Sequence, residues 1–370
     1  MKIICILNDL DIGGAQNYTI SLLNEFVKQG HLVKLIVLSD NLSLKNRLAS
    51  VVECIVLPRK HKLDFFVLKK IRYELKDGLI NAVISSYILY YKLASFLLNS
   101  KIPIIYPIHT TLARTRKDVI FNWFAYKLKK ENEIYLTSID SQTEYLLESY
   151  SLKRNFLKQI YNGIDTNKFK IASLNFNKNS FLINLGLNPD YKTILMVAGF
   201  RIEKRHKDAI MAFNKLKEFY NDVNFIMVGD NRIKDFENLK QFIKKNNVKD
   251  ITILSAEEAG SILNYYWVAD LFTLVSNKVE TFPISALEAM ACGLPCVLTN
   301  IGGAKDFIKV GYNGFLVEPE DIKSIKKGWE KTLRNINDFN KEDIRENIVN
   351  NFSIENSAKQ YLDLINNYKI

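Results

Sequence analysis

Short runs of β-rich apolar residues, each followed by a helix-like stretch, recur along this chain, stop, and then begin again. That doubled alternation constrains the fold more than any other feature. In the first half the strand candidates are Lys2 to Asn8, Val33 to Leu38, Cys54 to Leu57, Ala82 to Ser85, Pro103 to His109, Ile134 to Thr137 and Leu157 to Tyr161. Helix-like segments such as Ala15 to Gln29, Phe66 to Lys76 and Val119 to Lys130 lie between them. Strands alternating with helices read as a parallel sheet with crossover helices.

After Asn162-Gly163-Ile164-Asp165 comes an Asn- and Lys-rich stretch without a clear period, to about Tyr191, and then the alternation restarts. The second set of strands is Thr193 to Ala198, Asn224 to Val228, Ile251 to Leu254, Leu271 to Val275, Pro295 to Thr299 and Gly314 to Val317, with helices beginning near Lys204, Ile233, Glu257 and Pro283. The expected fold is α/β: two Rossmann-like, doubly wound parallel-sheet domains. A domain over 1–170, a linker over 171–190 and a domain over 191–350 follow. The remaining 351–370 reads as a helix, with Ile354, Ala358, Tyr361, Leu362 and Ile365 at helical spacing, able to return to the first domain.

The 370 residues suit two domains, and 48% hydrophobic with 25% charged residues matches a globular protein. The opening apolar run reaches Asn8 and Asp9 too soon for a signal peptide. Leu79 to Leu98 approaches membrane-spanning length but carries Asn81, Ser85, Ser86, Lys92 and Ser95, so a strand and buried helix fit it better. Cys5, Cys54, Cys292 and Cys296 have neither zinc-site nor disulfide-scaffold spacing, which implies a reducing cytoplasm. None of the four His is spaced with another as metal ligands would be, so no metal is expected.

The net charge of +11 is concentrated: residues 1–170 hold 25 Lys and Arg against 15 Asp and Glu. The patches are Arg59 to Lys62, Lys69 to Arg72, Arg114 to Lys117 and Lys127 to Lys130. Solvated surface is one reading; the other is a contact with anionic lipid headgroups or an acceptor diphosphate. Nucleic acid is not expected, because aromatic and basic residues do not interleave as base-stacking platforms require.

Ligands of doubly wound sheets bind beyond the carboxyl ends of the strands, and four turns stand out there. Gly13-Gly14 after the first strand permits close backbone approach and opens a helix, or is turn geometry alone; the further glycines of a dinucleotide fingerprint are missing. His109, ending a strand, is either a packed residue or one that orients a hydroxyl or moves a proton. Arg201 and Lys204, in the first turn of the second domain, offer cations to a diphosphate, whereas Arg205 and Lys207 read as solvated helix charges. Glu280-Thr281-Phe282-Pro283-Ile284, leading to Glu288 and closed by Gly293-Leu294-Pro295, places one carboxylate before a helix and another inside it. Free N–H groups at the helix start between them suit phosphate.

Gly13-Gly14-Ala15-Gln16, His109, Asn162-Gly163-Ile164-Asp165, Glu203-Lys204-Arg205, Glu280 to Pro295, Gly302-Gly303 and Asn313 to Val317 together resemble the retaining glycosyltransferases of family four, group one, over nearly the whole chain. The resemblance implies a GT-B fold, the two domains facing each other across a cleft, with the acceptor on the first and the nucleotide sugar on the second. It implies that Glu280 contacts the donor sugar and is required for transfer, and that Glu288 holds the ribose. Lys204 and Arg201 would neutralise the diphosphate with help from the backbone at Phe282, Pro283 and Ile284; Gly14 would approach the phosphates, and His109 the sugar and acceptor. Transfer would proceed with retention, without a metal or other cofactor, from a UDP-sugar in preference to a GDP-sugar. The acceptor would be a glycan or lipid-linked saccharide, in the cytoplasm or at the inner membrane face, in surface polysaccharide biosynthesis (lipopolysaccharide, O-antigen or capsule).

The chain departs from the family where Gly199 stands in place of a common Arg, and where Asp306 follows Lys305 in place of a common Glu. Two alternatives share the scaffold: a nucleotide-sugar epimerase, and a non-catalytic subunit. Retention of Glu280, Lys204 and Glu288 weighs against the second.

Overall fold

The computed structural model describes residues 1–61, 64–76, 79–86, 88, 92, 102–109, 116–230, 235–277 and 280–367, and in it the chain divides into two compact units. One comprises Met1–Gly163 together with Ile354–Ile370; the other is Ile164–Ser353.

The first unit holds seven parallel strands: β1 (Lys2–Leu7), β2 (Leu32–Val37), β3 (Glu53–Val56), β4 (Ala82–Ser85), β5 (Ile104–Pro107), β6 (Glu133–Thr137) and β7 (Leu157–Gln159). Their order is β3-β2-β1-β4-β5-β6-β7. The near-continuous apolar runs arise because both sheet faces are covered. Alternate residues of β1 enter different cores. Ile3, Cys5 and Leu7 pack with Leu22, Leu23 and Phe26 of the helix Gly14–Lys28, whereas Ile4 and Ile6 face the layer holding the helix Phe65–Glu74 and Tyr126 of the helix Arg116–Lys127.

The C-terminal helix Ile354–Asn367 joins the first of these cores through Ala358, Tyr361 and Ile365. Ser357 fixes its rotation, donating to the Tyr161 carbonyl at 3.0 Å while its Oγ lies 2.8 Å from the Tyr18 hydroxyl.

The second unit has six parallel strands: β8 (Lys192–Val197), β9 (Val223–Gly229), β10 (Ile251–Ser255), β11 (Leu271–Leu274), β12 (Cys296–Thr299) and β13 (Gly314–Val317), ordered β10-β9-β8-β11-β12-β13. Both sheets therefore reverse their winding once, beside their first strand. Trp329, fully buried, donates from Nε1 to Thr273 Oγ1 at 2.9 Å and seats the helix Ile322–Arg334 under this sheet.

Several expected boundaries move. The stretch 171–190, expected as a linker, contains the helix Lys178–Asn184 and belongs to the second unit, which begins at Ile164. Lys178 is tied to Asp270 just ahead of β11, and Trp267 donates to the Lys170 carbonyl, so these residues are packed although their composition has no period. Among its described residues the tail after Asp321 holds three α-helices, Ile322–Arg334, Lys341–Phe352 and Ile354–Asn367, with a one-turn helix, Ile336–Asp338, between the first two. Ile233, offered as a helix start, and half of the segment Leu79 to Leu98 lie outside the described residues. Among the described residues no helix is long and apolar enough to cross a membrane.

Candidate active site

In the second sheet the reversal falls between β8 and β11, neighbours that share the pairs Leu271 with Ile194 and Phe272 with Leu195. The connections leaving their carboxyl ends diverge, and a ligand site opens at such a point. After β8 the chain runs through Gly199, Phe200 and Arg201 into a one-turn helix, Ile202–Lys204, and then Arg205 adopts a left-handed conformation (φ 55°, ψ 38°) before the helix His206–Lys217. After β11 it passes Ser276, Asn277 and Glu280 to the helix Ile284–Ala291. The loops are tied together by Asn277 N–H donating to the Glu203 carbonyl at 3.0 Å.

Lys204 and Glu280 meet here. The ammonium Nζ lies 2.5 Å from Glu280 Oε2, with the side chains 13% and 11% exposed. Ser276 donates its hydroxyl to the same oxygen at 3.0 Å. Glu280 is held from the backbone side by Gly302, at φ +54°, where an added Cβ would stand 1.7 Å from the Glu280 carbonyl oxygen, and Gly303 N–H donates to Thr281 O at 2.9 Å. The glycine pair after β12 is thus a close-approach device: it lets one loop press on the backbone of another.

The helix Ile284–Ala291 begins one residue later than expected, because Pro283 is its N-cap and not its first turn. A proline cap has no side-chain acceptor; Ile284 N–H donates to the Phe282 carbonyl at 3.1 Å and Ala286 N–H to the Pro283 carbonyl at 3.0 Å, and the positive end of the helix is what favours an anion there. Phe282 is buried against Phe307 and Phe352, so its ring anchors the loop and only its backbone is offered to a ligand. Pro283 is likewise buried and Ile284 half-buried. At the other end Arg345 donates to the carbonyls of Ala291 (2.6 Å), Phe169 (2.7 Å) and Thr166 (2.8 Å), fastening the helix's C-terminus with a cation.

Glu288, half-buried, accepts a hydrogen bond at 2.7 Å from the hydroxyl of fully buried Tyr266. Burial first, and the Glu288 charge second, hold the Tyr266 phenol well above its ordinary pKa, so it stays a donor. Arg201 is 45% exposed with Nε 3.4 Å from Glu203 Oε1, a weak screened pairing that leaves the guanidinium turned to solvent. An added Cβ at Gly199 would make only ordinary contacts, 3.6 Å to Arg201 Nε, so packing does not forbid a side chain there. Arg205 is not a solvated helix charge: it is bound to Asp208 at 2.7 Å and lies 3.6 Å from Glu320.

His206 is buried against Phe200, with ring centroids 4.9 Å apart, and burial, against a hydrogen bond with the Ala198 carbonyl, drives its pKa down to about 3. Sequence reasoning passed over His206, Tyr266 and Ser276. Only Ser276 carried a signal, its place two residues beyond a strand; the other two acquire their positions through packing.

In the first unit Gly14 opens the helix after β1, preceded by a loop whose Asp9 accepts from Asn8 Nδ2 (2.7 Å), Asp11 N (3.2 Å) and Gln16 Nε2 (2.8 Å). Gly13, the N-cap, is extended, a conformation open to any residue. His109 lies two residues past β5, edge-on to Tyr18 at 6.1 Å, its Nε2 buried with no partner among the described residues. Desolvation lowers its pKa to about 4, so it is neutral at pH 7: suited to hydrogen bonding a hydroxyl and a weak base for proton transfer. Thr110 and Thr111, and Lys62, Arg114 and Thr115 of the basic patches, lie outside the described residues.

Two parallel sheets of the same winding, the second with a lysine–glutamate pair on the loops flanking its reversal, define a protein of the GT-B class. Residues 177–351 match the family model for glycosyl transferases group 1, and residues 12–168 that for glycosyltransferase family 4. The chain belongs to this glycosyltransferase family. It is similar to the N-acetyl-alpha-D-glucosaminyl L-malate synthase of Bacillus anthracis, 28% identical over 55% of this chain and 52% of that one. It is also similar to an Escherichia coli UDP-Gal:alpha-D-GlcNAc-diphosphoundecaprenol alpha-1,3-galactosyltransferase, 29% identical over 55% of this chain and 52% of that enzyme. The matched stretches thus span about half the length of these curated relatives. The crystal structure of Anabaena HepE in complex with UDP superposes with a TM-score of 0.84 over 99% of this chain and 100% of that one; at 17% identity this likeness concerns the fold.

Proposed function

We propose that the protein transfers a sugar, with retention of anomeric configuration, from a nucleotide-sugar donor to a glycan or lipid-linked saccharide acceptor in surface polysaccharide biosynthesis. The observation that carries this is the Lys204–Glu280 pair beside the proline-capped helix start. An ammonium has three donors; one is held by Glu280, and the others are left for a diphosphate, whose second anchor is the positive end of the helix Ile284–Ala291. Glu280 then stands next to the leaving group, where the donor sugar begins, and Glu288 reaches the ribose further along the helix.

In this reading the bond from the anomeric carbon to the diphosphate breaks while the acceptor oxygen bonds to the same face of that carbon. The acceptor proton passes to the departing phosphate oxygen, and Lys204 with the helix start stabilises the negative charge that grows there. No metal is required by this arrangement. UDP-sugars are the favoured donors, a choice supported by the UDP complex of the Anabaena neighbour and by the UDP-galactose donor in the name of the E. coli relative. The latter's diphosphoundecaprenol-linked acceptor likewise supports a lipid-linked saccharide.

The test is a panel of UDP- and GDP-sugars screened by thermal stabilisation, followed by transfer assays with proton NMR of the product linkage, with and without EDTA. Stabilisation by one donor, an anomerically retained product and loss of turnover in Glu280→Ala are expected. Unchanged turnover in Glu280→Ala sinks the assignment, and interconversion of two nucleotide sugars without acceptor would replace it by epimerisation. His109→Ala is expected to lower turnover with little change in donor stabilisation, and Gly14→Val to weaken donor stabilisation.

A further inference from the structure

Two helices of the first unit turn apolar faces outward. On the helix Arg116–Lys127, Ile120, Trp123, Phe124 and Lys127, together with Leu128 just beyond it, are all exposed. At 100° per residue they occupy one arc of about 140°. Ala125 and Tyr126, pointing the other way, are buried. On the helix Phe65–Glu74 the same division holds: Phe65, Phe66, Lys69, Lys70 and Tyr73 are exposed, while Val67, Leu68 and Ile71 are buried. Phe65, Phe66 and Tyr73 are 75%, 83% and 76% exposed.

Both helices bury their inner faces in the same core layer, the one that receives Ile4 and Ile6 of β1. Their outer faces therefore lie on the same side of the first sheet. Exposed aromatic and aliphatic side chains grouped on one helix face mark an interaction site. The lysines identify the partner. Lys69, Lys70 and Lys127 sit within the apolar arcs, no described position of either arc is acidic, and Lys127 Nζ lies 4.4 Å over the Trp123 ring. A protein groove complementary to such a face would need apolar pockets threaded with acids. An anionic bilayer supplies both chemistries in layers, acyl chain beneath and phosphate above, and long cationic side chains reach back to the headgroups. We propose that this face of the first unit, centred on Trp123 and Phe124, lies in the interfacial region of an anionic lipid bilayer.

The experiment uses the full chain and vesicles of phosphatidylcholine, with or without about one part in three phosphatidylglycerol. Sedimentation is expected with the anionic vesicles and to weaken as salt rises. Brominated lipids are expected to quench Trp123 emission; Trp329 is fully buried and Trp267 is held by the Lys170 carbonyl. Trp123→Ser with Phe124→Ser is expected to lower binding about tenfold or more at an unchanged melting temperature, and Lys70→Glu with Lys127→Glu to abolish the preference for anionic lipid. The proposal is overturned by absence of binding, by undiminished binding of the serine double variant, or by concentration-dependent self-association that the same variant abolishes. None of these readouts involves donor or transfer, so they stand apart from the assay of function.

Discussion

Lys204 and Glu280, 76 positions apart in sequence, form a 2.5 Å ion pair across the point where the second sheet reverses its winding. Each hangs from a loop after one of two adjacent strands, so the pair measures whether that junction is correctly assembled.

Lys204→Met is expected to leave the Glu280 carboxylate part-buried with, among the described residues, only the Ser276 hydroxyl as donor. We expect a stability loss of about 1–3 kcal/mol in urea unfolding and donor binding weakened by more than tenfold in titration calorimetry. Wild-type donor affinity in this variant would remove the lysine from the diphosphate site.

Gly302→Ala tests the close approach behind Glu280. Its Cβ would stand 1.7 Å from a backbone oxygen at φ +54°, so a loop must shift, at a cost of about 2–3 kcal/mol. Thermal melts read the cost, and transfer is expected to fall further than stability alone dictates. A variant as stable and active as wild type would mean that this contact does not position Glu280.

Glu288 and Tyr266 separate ligand binding from packing. Glu288→Ala is expected to weaken UDP binding by more than tenfold. Tyr266→Phe removes one hydrogen bond worth about 1 kcal/mol, which lowers the melting temperature and weakens UDP only a few-fold. Equal effects on UDP from both variants would assign the glutamate to structure.

His206 and His109 predict an acid limb. Burial lowers their pKa values from 6.5 to about 3 and about 4. Between pH 6.5 and those values the unfolded chain binds more protons than the folded one. Stability is therefore full above pH 6.5 and declines as pH falls. Urea midpoints from pH 7.5 to 4.5 check this, with a shallower slope expected for His206→Gln. An unchanged slope would show that the ring protonates without unfolding.

The two-fold alternation, the strands' approximate bounds and the loops that carry Gly14, His109, Lys204 and Glu280 could all be read along the chain. Each depends on local chemistry: apolar runs buried on both faces, and glycine, proline and charge at strand ends. The period was lost at 171–190, where Lys178 and Lys170 are tied to residues near 270 by an ion pair and a carbonyl hydrogen bond. No local pattern encodes such pairings.

By itself, then, the sequence determined two parallel α/β sheets and the segments that bear the functional groups, because periodicity and turn chemistry act over a few residues. Only tertiary structure decided that Ser276 joins Lys204 on one oxygen of Glu280, that Tyr266 holds Glu288, and that two helices turn aromatic rings outward on one side of the first sheet. Those outcomes depend on strand order and helix rotation, which bring together groups far apart in the chain, and contacts at that range are selected by packing.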